Sequence, residues 1–109
     1  MSTAAELIDD ANGDLAIGEL EAAAVKYRQA TEVEPQNFEA WHSLGMALMR
    51  SGDCKGALGP AMMATELKPN DLLAWTALSQ VYVKLGNIAE AEAAKGNARI
   101  LSLGGRVAR

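Results

Sequence analysis

The side chains best suited to covalent chemistry are one histidine and one cysteine, His42 and Cys54. A His/Cys pair can form a nucleophilic dyad in which the imidazole activates the thiol. The two residues fall on different predicted helices, however, and Cys54 stands where the surrounding pattern requires a large buried residue. A buried cysteine acts as a small hydrophobic residue far more often than as a nucleophile. We therefore interpret Cys54 as structural and predict no catalytic residues.

Carboxylates are the other abundant chemical group, with 14 Asp and Glu residues in the chain. We interpret them as solvated helix faces and helix ends, because no set of them has the spacing of metal ligands. The pair Gly104-Gly105 follows no predicted strand, so it is not a dinucleotide-binding turn. The sequence thus predicts a protein that is not an enzyme and that uses no metal and no cofactor.

The charge of the chain limits the partners it can have. The formal net charge is -4 and the basic residues are scattered, whereas nucleic-acid binding needs a basic face that neutralises phosphates. We therefore predict no nucleic-acid partner and no binding to an anionic membrane. The N-terminus shows no basic leader followed by an apolar segment, and no apolar run reaches the length of a membrane span. A cytoplasmic protein is the resulting expectation.

The elements that carry these residues repeat at a step of 34 residues. Repeats at this spacing are typical of stacked supersecondary units. Matching residue types recur at the step in several series: Trp41 and Trp75; Pro35 and Pro69; Gly18, Gly52 and Gly86; Ala23, Ala57 and Ala91; Ala30, Ala64 and Ala98.

Each repeat is predicted to be two helices joined by a turn, in units of about 4–37, 38–71 and 72–105 with a short tail at 106–109. Proline ends the second helix of a unit because it cannot donate into a helix. Asn37 and Asp71 then stand where they can cap the next helix. Two capping boxes are also predicted, at Thr3 with Glu6 and at Asn87 with Glu90.

The repeating residues resemble those of the tetratricopeptide repeat (TPR) family. The second unit carries the family pattern in Trp41, Leu44-Gly45, Ala57, Ala64 and Pro69. The third matches through Trp75, Leu78, Tyr82, Gly86, Ala91 and Ala98, with Ser79 in place of the usual Gly and Leu103 in place of the Pro. The first matches only in its second half, through Ala23, Tyr27, Ala30 and Pro35.

This resemblance implies an all-α fold, a right-handed α-solenoid of three helix-turn-helix units with six or seven antiparallel helices. The whole chain, 1–109, would then form a single domain. The small residues of the alanine series are expected to face a neighbouring helix at close range, and Gly45 to let the two helices of its unit approach. Stacked units bury a continuous core that one unit alone cannot form.

The first unit departs from the pattern, because strict register places Asp10 and Asp14 at apolar positions. Burying two unpaired carboxylates is costly. Sliding the helix by one residue puts Ile8, Ala11 and Leu15 into the core instead, at the cost of a turn one residue shorter. We prefer this interpretation.

Pro60 lies inside the predicted second helix of the second unit. A proline there deletes one backbone hydrogen bond and crowds the preceding turn. We interpret it as a tolerated kink on the outer, convex face of the solenoid. The alternative is a bend that opens a contact surface.

In the TPR family the first helix of each unit lines a concave groove that binds partners. The resemblance implies that the groove residues here are Asn12, Glu39, His42, Ser43, Met46, Met49, Arg50, Leu73, Thr76, Gln80, Val83 and Lys84. Methionine side chains adapt to irregular partner surfaces. The alternative is that these are ordinary solvent-facing positions.

One binding mode of the family can be compared residue by residue. TPR proteins that hold the acidic tails of heat-shock chaperones clamp a terminal carboxylate with Lys, Asn and Arg. The corresponding positions here hold Ile8, Asn12, Ser43, Leu73 and Ala77, so only Asn12 fits. A clamp without cations cannot form charge-assisted hydrogen bonds, and we do not expect such a tail as the partner.

The function that follows is an adaptor or scaffold that binds a protein or peptide in the concave groove. Two alternatives stay open. The first is a self-associating structural protein whose third unit stacks on another copy through the apolar residues Ile100, Leu101 and Leu103. The second is a small chaperone for a client that is secreted or assembled.

Overall fold

Six helices make up the computed structural model, which describes residues 2–107. They are α1 (Ala4–Ala16), α2 (Leu20–Val33), α3 (Phe38–Arg50), α4 (Cys54–Leu67), α5 (Leu72–Leu85) and α6 (Ile88–Ser102). Consecutive helices pair into hairpin 1 (α1 and α2), hairpin 2 (α3 and α4) and hairpin 3 (α5 and α6), and each hairpin packs on the next. The predicted all-α solenoid is confirmed.

The first helix of each hairpin begins at a side-chain cap. Thr3 and Glu6 form the predicted capping box, with the Glu6 N–H donating to Thr3 Oγ1 at 3.1 Å and the Thr3 N–H to Glu6 Oε1 at 2.9 Å. Asn37 and Asp71 cap α3 and α5, each accepting a backbone N–H at 3.0 Å. These bonds satisfy donors that a helix N-terminus otherwise leaves unpaired.

The predicted capping box at Asn87 is wrong. The side chain of Asn87 makes no cap hydrogen bond at the start of α6. A capping box requires a free backbone N–H on the cap residue. The N–H of Asn87 already donates to the carbonyl of Tyr82 at 2.9 Å, so Glu90 has no donor to reach back to.

The turns within the hairpins keep strict register at the first unit. Gly18, Gly52 and Gly86 all adopt positive φ, at 83°, 96° and 81°, a conformation that glycine takes without strain. The turn between α1 and α2 occupies residues 17–19 and that between α3 and α4 residues 51–53, so the predicted shortening is wrong.

The carboxylates of α1 explain why strict register is possible. Asp10 is exposed, and an oxygen of Asp14 lies 2.7 Å from Lys26 Nζ, so neither side chain is buried unpaired. The predicted core residues of α1 are nevertheless right in part: Ile8 and Ala11 are buried and Leu15 is half-buried.

Small residues set the distance between helices as expected. All six members of the two alanine series are buried, with Ala98 the most accessible at 9%. A Cβ added at Gly45 would lie 3.4 Å from the backbone N of Ala61 and 3.6 Å from Pro60 Cβ. Pro60 is therefore buried against α3, and the expected position on the outer face is wrong.

The repeated tryptophans tie successive hairpins together. The indole N–H of Trp41 donates to the carbonyl of Pro35 at 2.7 Å, and that of Trp75 to the carbonyl of Pro69 at the same distance. After α6 the chain turns at Gly104, and the N–H of Val107 donates to Asn70 Oδ1 at 2.8 Å. The predicted tail continues through Ala108 and Arg109, which lie outside the described residues.

Candidate functional site

The first helices of the hairpins lie side by side, with α3 in contact with both α1 and α5. Between α3 and α5 this face holds a cavity of about 140 Å³. His42 and Met46 contribute one wall, and α5 contributes the other. The residues that line the cavity are His42, Met46, Leu73, Thr76, Ala77 and Gln80. Five of them are predicted groove residues, and the structure brings them together.

His42 forms an uncharged wall of this cavity. Its ring stacks on Phe38 with 5.5 Å between ring centroids and 8° between ring planes. On Phe38, in turn, Lys68 Nζ lies 4.7 Å from the ring centroid. Burial lowers the pKa of His42, with Asp71 partly opposing the shift. The imidazole is therefore neutral at pH 7 and adds no charge to the groove.

A tyrosine from a second helix forms the floor between α1 and α3. Tyr27 of α2 is fully buried, and its hydroxyl donates to Asn12 Oδ1. Burial raises the pKa of Tyr27, and a hydrogen bond with Ser43 acts in the opposite direction. The predicted groove residues Asn12 and Ser43 thus meet at one hydroxyl.

Tyr27 is absent from the predicted groove. The sequence does contain a signal for it, since Ala61 and Lys95 stand at the same step in the other units. Only the first unit therefore has a side chain at this position that can carry a hydroxyl to the neighbouring hairpin.

Met49 is not available to a ligand. It is 8% exposed and belongs to the hydrophobic core, so its prediction as a groove residue is wrong. The reason lies in the stacking, because the equivalent residue Val83, which has no following hairpin, is 55% exposed.

The remaining predicted residues lie away from the cavity. Glu39 and Arg50 are exposed in the first and last turns of α3. Val83 and Lys84 line a second groove of about 390 Å³ on hairpin 3. This edge groove is lined by Thr76, Ser79, Gln80, Val83, Lys84, Lys95 and Ala98.

The residues predicted for self-association are distributed differently. Leu103 is 80% exposed and Ile100 is 44% exposed, whereas Leu101 is half-buried. None of the three is among the residues that line the edge groove. They do not form one apolar face with it.

The groups considered for chemistry are not brought into one site. Cys54 is a free, half-buried thiol at the first position of α4 and packs against the core. It does not line the cavity that contains His42. Within residues 2–107, no three His, Cys, Asp or Glu side chains are grouped so that they could hold a metal ion.

Membrane insertion is addressed by the helices themselves. Of the helices in the described part of the chain, none has both the length and the apolar character needed to cross a bilayer.

Comparison with family models identifies the repeats. A model described as TPR repeat matches residues 12–52, and one described as tetratricopeptide repeat matches residues 72–94. Together the two matches span more than half of the chain and fall in all three hairpins. The chain belongs to the tetratricopeptide repeat family. TPR folds are interaction scaffolds, so the face formed by α1, α3 and α5 corresponds to the TPR groove.

Solved TPR structures share the fold of the whole chain. The second TPR of Spaghetti (RPAP3), bound to the HSP90 peptide SRMEEVD, has a TM-score of 0.86 at 20% identity, covering 92% of this chain and 93% of its own. The Sgt2 TPR domain from Aspergillus fumigatus has a TM-score of 0.86 at 23% identity, covering 94% and 68%.

A third structure, the MamA D159K mutant, has a TM-score of 0.89 at 23% identity, and the match covers 97% of this chain and 58% of MamA. No curated protein matches the sequence. At these identities the likeness establishes the fold of the TPR chain.

Proposed function

We propose that this TPR protein binds a segment of a partner protein along the face of α1, α3 and α5. The observation that carries the proposal is the cavity between His42 and Met46 on α3 and the facing residues of α5. Its volume of about 140 Å³ is well below the ~300 Å³ at which pockets for small molecules begin. The cavity therefore suits a single side chain of a partner better than a free metabolite.

The walls of the cavity indicate what that side chain is. Met46 and Leu73 supply apolar surface, and Leu73 is 66% exposed. Gln80 and Thr76 supply the polar rim. An aliphatic or aromatic anchor residue buries such surface most effectively, and a few anchors of this kind carry most of the affinity of an interface.

We further propose that the partner segment is not an acidic C-terminal tail. The Spaghetti TPRs are bound to the peptide SRMEEVD, which ends in acidic residues. At the clamp positions this chain has buried Ile8 and Ala77, and the amide oxygen of Asn12 accepts from Tyr27. No cation stands at these positions to pair with the carboxylates.

A peptide selection tests the proposal. Peptides selected from a random library on the wild-type chain would be measured against Met46→Glu by fluorescence anisotropy. We expect at least about tenfold weaker binding, because an unpaired carboxylate would enter the apolar cavity. Met62→Glu is the matched control, since Met62 is 41% exposed on α4, outside the cavity.

The outcomes separate cleanly. Equal weakening by both substitutions, or none by Met46→Glu, would overturn the location of the site. Tight binding of SRMEEVD itself would overturn the exclusion of acidic tails while leaving the groove in place.

A further inference from the structure

The N-terminal end of the solenoid exposes a helix face that is covered elsewhere. Three positions of this face are buried on both α3 and α5: Ala40 and Ala74, Leu44 and Leu78, Ala47 and Val81. No hairpin precedes α1, and the equivalent residues there, Glu6, Asp10 and Gly13, are exposed. This face of α1, with the adjacent exposed Asp9, is called the acidic face below.

The C-terminal end exposes the opposite side of a hairpin. Tyr27 and Ala61 are buried in hairpins 1 and 2, and so are Thr31 and Thr65. The equivalents on hairpin 3 are Lys95 and Arg99, both exposed. Lys95 lines the edge groove together with Val83 and Lys84. This end of the molecule therefore carries cations around an apolar groove.

The sign of the charge differs systematically between the two ends. Before Lys26 the chain has six acidic residues and no basic one. From Lys84 to the C-terminus it has five basic and two acidic residues. Solubility alone would be served by charges of either sign on a terminal repeat. Opposite signs on two faces that would meet in a continued solenoid instead indicate complementarity.

The contacts between the hairpins specify which residues would meet. Tyr27 of hairpin 1 is hydrogen-bonded to Ser43 of hairpin 2. One step of 34 residues further along the chain, the same two positions hold Ala61 and Ala77, both buried. One more step places Lys95 opposite the first helix of a following hairpin. In a second copy of this chain, the position equivalent to Ser43 is Asp9.

We propose that copies of this protein stack head to tail, with the acidic face of α1 in the edge groove of the next copy and Asp9 paired with Lys95. This interface joins two different surfaces, so it does not close on itself and leads to open rows of molecules. The stacking leaves the face of α1, α3 and α5 free and continues it from copy to copy. It is independent of what the groove binds.

Charge reversal with mutual rescue tests the stacking. Sedimentation velocity of the full chain at low salt, over a concentration series, should show a mean mass that rises with concentration for the wild type. Lys95→Glu and Asp9→Lys should each weaken association by at least about tenfold, because like charges then face each other. An equimolar mixture of the two variants should associate again, because each new charge meets its opposite.

Matched controls make the same charge changes on α4. Lys55→Glu and Glu66→Lys lie at exposed positions of the middle hairpin and should leave association within about twofold of the wild type, since exposed charges that face no partner contribute little. Raising the salt concentration should weaken the stacking by screening. A wild type that stays monomeric throughout overturns the proposal. So does a loss of association that the mixture fails to restore, or that the control variants reproduce.

Discussion

At the scale of single residues, burial determines how side chains in the groove behave. His42 lies on α3 between a stacking contact with Phe38 and the cavity shared with α5. Burial removes water that would stabilise the imidazolium, which lowers the pKa of His42 against the opposing effect of Asp71. The same displacement of water makes the cavity apolar and suitable for a partner side chain.

Because the pKa of His42 is lower in the folded chain than its ordinary value of 6.5, the unfolded chain binds the proton more readily. Folding stability should therefore fall as the pH drops through about 6.5. Urea unfolding of the wild type and of His42→Gln, at pH values of about 7.5 and 5.5, measures this effect.

We expect the wild type to lose more stability than His42→Gln between the two pH values, because glutamine takes up no proton. The carboxylates titrate in both proteins and cancel in the comparison. Parallel losses in the two proteins would contradict the assignment of a shifted histidine.

At the scale of helices, caps decide where each element begins. Asp53 accepts the N–H of Gly56 at 2.9 Å at the start of α4, whereas Asn87 at the start of α6 makes no such bond. Both residues stand directly after a glycine of the repeated series. The difference arises from the side chains and turns around them.

Asp53→Ala should reduce the free energy of unfolding by about 1 kcal/mol, since it removes a side-chain cap. Asn87→Ala should leave it nearly unchanged, because no cap bond is lost there. Chemical denaturation of both variants measures the contrast. Asp53→Asn is the control and should remain close to the wild type, because asparagine caps as well as aspartate. Equal losses at residues 53 and 87 would contradict the observed difference in capping.

At the scale of the whole molecule, stability depends on how many neighbours a hairpin has. Hairpin 2 packs on both other hairpins, whereas hairpins 1 and 3 pack on one each. In a solenoid, stability is close to a sum of contributions from each repeat and from each interface between neighbours. The ends are therefore the parts that open first.

Hydrogen exchange should show the slowest backbone amides in α3 and α4. Amides of α1 and α6 should exchange faster through partial opening of the terminal hairpins, because each is held by one interface. Mass spectrometry of exchange in peptide fragments, at a concentration where the chain is monomeric, measures this order. Uniform protection across the six helices would show that the chain opens only as a single unit.

The periodic sequence already predicted much of this structure. The step of 34 residues identified the three helical hairpins, and the glycines at that step marked their turns. Small residues at Gly45 and in the alanine series indicated close helix packing, which the structure confirms. These features could be predicted because they depend on contacts within one repeating unit, and every unit of the chain presents the same pattern.

Only the tertiary structure decided the properties that depend on which neighbour each hairpin has. Met49 is buried and Val83 exposed at equivalent positions, because a hairpin follows the first residue and none follows the second. The meeting of Tyr27 with Asn12 and the opposite charges at the two ends likewise become visible only when the hairpins are stacked. A repeated sequence specifies a unit, whereas exposure depends on where that unit stands in the stack.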